Sequence, residues 1–139
     1  MLPTTVDCYF CQNVPSCLTA TAFSLPHTDS AVPSLMVAPA RHVTDFRDLK
    51  PSEILDIHRV ALDFAAQSAR PGRGFNLLWN LGPAAGQSLE HIHCHVLVRD
   101  PEHQCSGLGL RWWLKSRVRG RLLTDLCCFL NRPRARKAR

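Results

Sequence analysis

The run Gln87–Asp100, QSLEHIHCHVLVRD, constrains this chain more than any other stretch. In an extended strand, successive side chains point to opposite faces. Leu89, His91, His93 and His95 then share one face, while Ile92, Cys94, Val96 and Val98 share the other. The second set suits a buried sheet face. The first is a ladder of three imidazoles, and imidazole serves as nucleophile, proton carrier or metal ligand near neutral pH. A single histidine in such a strand is most often a surface or hydrogen-bonded residue. Three in strict alternation point to chemistry.

The chain around this segment has 139 residues, enough for one domain with a real core. Its composition, 45% hydrophobic and 20% charged, is that of an ordinary globular protein. No apolar run is long enough to cross a bilayer. The start, MLPTTVDCYF, lacks the basic end and apolar stretch of a signal peptide, so the expected location is cytoplasmic. Seven cysteines is an odd number, and with no secretion signal it fits reduced thiols, some on metal, better than a disulfide framework. The net charge of +6 is uneven: residues 101–139 carry ten Lys/Arg against Glu102 and Asp125, which leaves −2 on residues 1–100. The basicity belongs to the tail.

Read in order, Cys8-Tyr9-Phe10-Cys11 is a C-x-x-C whose thiolates can share one tetrahedral zinc. A thioredoxin-like redox site would need the motif to open a helix after a strand. Cys17 reads as a small buried residue. Thr19–Leu25 and Ser34–Ala38 are strand candidates, the second closed by Pro39 and leading into Ala40-Arg41-His42. From Pro51 to Ala69 the pattern is helical, with a stripe of Ile54, Ile57, Ala61, Phe64 and Ala65 widened by Leu55 and Leu62. Glu53, Asp56, Arg59 and Asp63 fall on the other side. Phe75–Asn80 is a strand, joined to the histidine strand by the loop Leu81–Gly86 as an antiparallel hairpin. Asn80, Gln87 and Ser88 flank that loop, where they either meet an anion or simply tie down the turn. Beyond Asp100, Leu110–Leu130 reads as a broken helix bearing Trp112 and Trp113, and Asn131–Arg139 as disordered.

Taken together, the run GFNLLWN, then GPAAGQS, then His-x-His-x-His, resembles the histidine triad (HIT) superfamily. Met36-Val37-Ala38-Pro39-Ala40-Arg41-His42 resembles the apolar strand, proline, base and histidine that precede that family's central helix, and the leading C-x-x-C is similar to that of bacterial members carrying zinc. The resemblance covers residues 8–100 and implies an α+β fold: an antiparallel sheet of about five strands with one main helix, usually paired into a homodimer. Residues 1–100 are then a HIT-like domain and 101–139 a basic C-terminal extension. It also implies cleavage at the α-phosphate of a nucleotide or nucleotide conjugate, by hydrolysis or nucleotidyl transfer. His93 takes the place of the nucleophile, His95 that of a donor to phosphate or leaving group, and Asn80, Gln87 and Ser88 those of phosphate-positioning residues. In zinc-bearing relatives the first triad histidine completes a structural site, which here gives Cys8, Cys11, His42 and His91. The histidine segment holds no carboxylate cluster of the kind that binds Mg²⁺, which fits a covalent histidine route.

The chain departs from the family pattern at three points. A histidine is usual eight positions before the His42 equivalent, and here that position is Ser34. The usual ribose-binding acid falls at Pro26, with Asp29 displaced nearby. The stretch between Cys11 and the first strand is short. These departures point to altered nucleoside recognition. Two other readings remain open at this level: a nucleic-acid binder working through its Trp- and Arg-bearing tail, and a zinc-stabilised binding module without turnover.

Overall fold

The computed structural model of the chain describes residues 7–15, 19–27, 34–102 and 107. The chain divides into two compact units, Met1–Arg99 and Asp100–Arg139. The expected tail helix with Trp112 and Trp113, together with Cys17 and Asp29, lies outside the described residues.

Among the described residues the first unit has four strands: β1 (Ala22–Pro26), β2 (Ser34–Pro39), β3 (Gly74–Trp79) and β4 (Cys94–Arg99). They form one antiparallel sheet in the order β1-β2-β4-β3. A one-turn helix, α1 (Tyr9–Gln12), and a single long helix, α2 (Pro51–Gln67), complete the unit. The fold is the expected α+β sheet with one main helix.

β4 shows why the alternation was informative. Cys94, Val96 and Val98 are buried, while His95, Leu97 and Arg99 are half-buried. Cys94 and Val96 join Ala22 of β1 and Val37 of β2 in a core closed by Ile57, Val60 and Ala61 of α2. Each is an apolar side chain withdrawn from water, worth roughly 1.5–3 kcal/mol for the larger ones. The opposite sheet face carries a second core of Phe23, Leu25, Met36 and Ala38, covered by Phe10 of α1. One face therefore meets the long helix and the other meets the N-terminal turn. The histidines belong to the second face.

The helical stripe differs from the expected one. Ile57, Val60 and Ala61 are buried, but Ile54, Leu55 and Leu62 are 40–50% exposed. Glu53 sits inside instead, only 3% exposed. Its carboxylate takes two hydrogen bonds from Arg41, Nε to Oε1 and Nη2 to Oε2, both 3.0 Å, and one from the Lys50 N–H at 2.8 Å. Burial alone would raise the Glu53 pKa, but the Arg41 and Lys50 hydrogen bonds hold it below the ordinary value. Periodicity put this acid on the wet side because the periodicity of one element carries no information about a cation delivered from another.

The connection between β3 and β4 is also longer than expected. β3 and β4 pair antiparallel, Leu77 opposite Val96 and Trp79 opposite Cys94, but β4 begins at Cys94. His91, Ile92 and His93 precede the ladder, with His91 at a bend, and Gln87 and Ser88 lie wholly in the connection. Ile92 is held instead by its N–H to the Val43 carbonyl, 2.7 Å, and by packing on Val43 and Leu49. A 3₁₀ turn over Pro83–Ala85 shapes the loop between Gly82 and Gly86, whose φ angles of 84° and 87° are those that only glycine adopts without strain.

Candidate active site and metal centre

The connection before β4 and the chain start meet on the sheet face away from α2. Cys8 precedes the single turn of α1, so the C-x-x-C does open a helical turn, though no strand precedes it among the described residues. One turn brings Cys8 and Cys11 to the same side. Phe10, between them, is fully buried, its ring centroid 5.2 Å from that of His91 and 4.9 Å from that of His93. Arg41, anchored on Glu53 and on the Asp48 carbonyl (2.8 Å), fixes the segment that presents His42.

Cys8, Cys11, His42 and His91 thereby converge, with one ligand atom from each lying within 4.8 Å of all the others. Cys8 Sγ is 3.4 Å and Cys11 Sγ 3.7 Å from His91 Nδ1, and Cys11 Sγ is 3.3 Å from His42 Nδ1. Zinc–sulfur bonds of about 2.3 Å and zinc–nitrogen bonds of about 2.0–2.1 Å in a tetrahedron place ligand atoms roughly 3.3–3.8 Å apart. The donor set and spacing fit zinc. The tautomer agrees: His91 Nε2–H donates to the buried Pro39 carbonyl at 3.0 Å, which leaves the Nδ1 lone pair facing the two sulfurs. Burial pushes the His91 imidazole down to about 4, aided by His42, so the ring is neutral at pH 7 and able to ligate.

His93 is arranged the other way round. Its Nδ1–H donates to the His91 carbonyl at 2.8 Å, and its Nε2 faces His95 Nε2 at 3.1 Å. With Nδ1 protonated, Nε2 is the lone-pair nitrogen and accepts from His95 Nε2–H. Burial lowers the His93 pKa, and burial with the neighbouring His93 and His27 lowers His95 to about 4. Two neutral imidazoles therefore stand side by side, His93 only 6% exposed and His95 half-buried, one offering a lone pair and the other a proton. The ring of His27, just beyond β1, packs on His95 at 5.5 Å.

The remaining site residues are more dispersed. Asn80 follows β3 directly and is half-buried; Ser88 is exposed. Gln87 is engaged by its own loop, its Oε1 accepting from Gly82 N–H (2.7 Å) and its Nε2 donating to the Leu89 and Glu90 carbonyls (3.0 and 2.9 Å). Gln87 and Ser88 line a cavity of about 600 Å³ with Thr44–Arg47, Gly82 and Ile92. His93 and His95 are not among its walls. Sequence reading named the thiols and histidines but missed Phe10, Glu53 and His27. Phe10 was inferable, since a residue between two ligand cysteines must travel with them. Glu53 and His27 were not, because their partners come from other elements.

An antiparallel sheet with one main helix, carrying histidines spaced by single apolar residues, is the histidine triad class of fold. The HIT domain pattern matches residues 20–102, and the chain belongs to that family. It is 30% identical to adenosine 5′-monophosphoramidase hnt1 of Schizosaccharomyces pombe over 115 residues, 77% of this chain and 84% of that one. It is 42% identical to AP-4-A phosphorylase of Mycobacterium tuberculosis over 69 residues, 47% of this chain, and there it spans only 35% of the relative's length. A HIT family hydrolase from Clostridium thermocellum has the same fold, with TM-score 0.61 and 24% identity over 71% of this chain and 96% of that one. A zinc-bound histidine triad protein from Mycobacterium smegmatis superposes with TM-score 0.52 at 25% identity, over 64% and 67% of the two chains. Among the described residues no helix is long and apolar enough to cross a membrane.

Proposed function

We propose that this protein is a nucleotide hydrolase that cleaves substrates at the α-phosphate through a nucleotidyl-histidine on His93. One observation carries the reading: His93 is locked by its Nδ1–H on the His91 carbonyl, so that Nε2 is presented beside the proton of His95. A neutral imidazole held in this tautomer needs no external base to attack phosphorus. In the first step the Nε2 lone pair forms a bond to the α-phosphorus and the bond to the leaving group breaks. The leaving group departs with the bonding pair, held by a hydrogen bond from the neutral His95 Nε2–H, and takes any proton it needs from solvent. In the second step a water oxygen bonds to phosphorus and its proton passes to solvent. The phosphorus–nitrogen bond then breaks, returning the electron pair to His93 and releasing a nucleoside monophosphate. With another acceptor in place of water, the same first step yields nucleotidyl transfer.

Asn80 and Ser88 supply polar contacts to the phosphoryl oxygens, while Gln87 contributes by holding the loop that presents them. Such placement, with donors aimed at developing charge, is the main source of rate in this chemistry. Cys8, Cys11, His42 and His91 would hold a structural zinc, which would tie α1 to the histidine segment. The phosphoramidase and phosphorylase names of the relatives above support phosphate-bond cleavage of a nucleotide conjugate.

The test is incubation with adenosine phosphoramidate and with a dinucleoside polyphosphate, wild type beside His93→Ala. The expected result is monophosphate release by wild type, at least ~10³-fold slower in the variant. A rapid quench at neutral pH should trap a nucleotide adduct on His93 by mass spectrometry. Equal activity in both proteins, or a wild type inert to every nucleotide class with no adduct, overturns the reading in favour of a non-catalytic binding module.

A further inference from the structure

None of the imidazoles lines the cavity of about 600 Å³ that the Thr44–Arg47 turn shares with the connection between β3 and β4. Its buried wall is Ile92, which packs with Val43 and Leu49 and against Phe46. Phe10, whose ring lies beside those of His91 and His93, belongs to a different cluster. The cavity and the imidazole pair therefore rest on separate packing. A volume of this size falls among small-molecule sites, which run roughly from 300 to 1,000 Å³.

Both walls are held before any ligand arrives. Gln87 ties one of them by its hydrogen bonds with Gly82, Leu89 and Glu90. Asp45 ties the other, accepting from the Arg47 N–H at 2.8 Å and from Nε and Nη2 of its guanidinium. The Phe46 ring stands edge-on to Trp79 at 5.2 Å. A preformed site spends less of a ligand's binding energy on ordering its own walls.

The polar groups left over are acceptors. Among the described residues the Thr44 and Ser88 hydroxyls and the Glu90 carboxylate line the cavity without a partner. Arg47 is already paired with Asp45, so Glu90 leaves the lining with a net charge of −1. Phe46, Leu81, Pro83 and Ile92 make the rest of the surface apolar. A primary ammonium brings three N–H donors, no acceptor and one positive charge, which matches a carboxylate and two hydroxyls.

We propose that this cavity binds a small primary amine with an apolar body, its ammonium on Glu90 and its body against Phe46 and Ile92. A carboxylate or phosphate ligand of the same size is repelled by Glu90, and a neutral one leaves the carboxylate unmatched. The site does not depend on His93 being the nucleophile, although its ligand touches the loop that carries Gln87 and Ser88.

The experiment titrates the full-length chain with phenethylamine, 2-phenylethanol and phenylacetate, read by calorimetry and by amide chemical shifts in NMR. The expected result is saturable binding of the amine in the millimolar range or tighter, about fivefold above the alcohol, with the acid weakest. The shifts should centre on residues 44–47 and 81–92. Glu90→Gln should weaken the amine about fivefold at low salt and bring it level with the alcohol. Thr44→Phe, at an exposed position, should fill the cavity and remove binding of the amine without lowering the melting temperature. If that variant does not fold, Glu90→Gln, an isosteric change at an exposed residue, still reads the site. No saturable binding, equal affinity for the three probes, an unchanged ranking in Glu90→Gln, or shifts centred on His93 and His95 overturns the proposal.

Discussion

His91 and His93 are two residues apart on the same face of the same segment, yet they hold opposite tautomers. His91 gives its Nε2 proton to Pro39 and turns the Nδ1 lone pair toward Cys8 and Cys11. His93 gives its Nδ1 proton to the carbonyl of His91 and turns the Nε2 lone pair toward His95. The residue type and the spacing are the same for both. The carbonyl within reach decides which nitrogen is free, and so which ring suits a metal and which suits phosphorus. The two rings are also coupled: the carbonyl that fixes His93 belongs to His91, a member of the Cys₂His₂ cluster.

The largest effect expected from breaking this contrast is at the His93 end. His93→Ala should abolish turnover by at least ~10³-fold while the melting temperature moves little, read by steady-state kinetics beside calorimetry. A comparable loss of stability would show that His93 is mainly a packing residue. At the other end the order reverses. Cys8→Ser, or removal of metal by a strong chelator, should cost several kcal/mol and lower the melting temperature by roughly 10–20 °C. The loss should track zinc content measured by elemental analysis. An unchanged melting temperature in a metal-free preparation counts against a structural site.

A smaller effect separates the scaffold from both. Glu53→Gln weakens the pairing with Arg41 that orients His42, and should cost about 1–3 kcal/mol at neutral pH in denaturant unfolding. Because Glu53 is held below its ordinary pKa when folded, its stabilisation is present above the ordinary carboxylate range and fades as pH falls through the folded value. The gap between variant and wild type should close in acid. The mildest test concerns His95, pushed down to about 4 in the fold. Between about pH 6.5 and 4 the unfolded chain binds a proton at this position that the folded chain refuses. Stability contributed through His95 is thus full above about pH 6.5 and declines toward about pH 4. His95→Asn should flatten that decline, and an identical slope in both proteins would remove His95 as its source.

The contrast between the two sheet faces explains how much could be read in advance. The face meeting α2 was legible because burial of Cys94, Val96 and Val98 follows from alternation, a local property of one strand. The helix span was legible too, since Pro51 and the run of helix formers are local. The face carrying the histidines was legible as a set of residues but not as an arrangement. Cys8 and Cys11 reach His91 across 83 and 80 positions of sequence, and no periodicity encodes that approach. Ser34 shows the limit most clearly. Sequence reading found no imidazole at that position, whereas the structure pairs the His27 backbone with Ser34 across β1–β2 and lays the His27 ring on His95.

The sequence alone determined the sheet with its single main helix, the family, the alternation that buries one side of β4, and the inventory of thiols and imidazoles. These depend on residue type and on spacing within one element. Tertiary structure decided which carbonyl each histidine meets, that Glu53 is buried on Arg41, that Gln87 is engaged by its own loop, and that His27 stands beside His95. Each of these depends on a partner delivered by a distant part of the chain. A hydrogen bond made or missed across such a contact sets the protonation and orientation of a side chain that its own neighbours in sequence leave open.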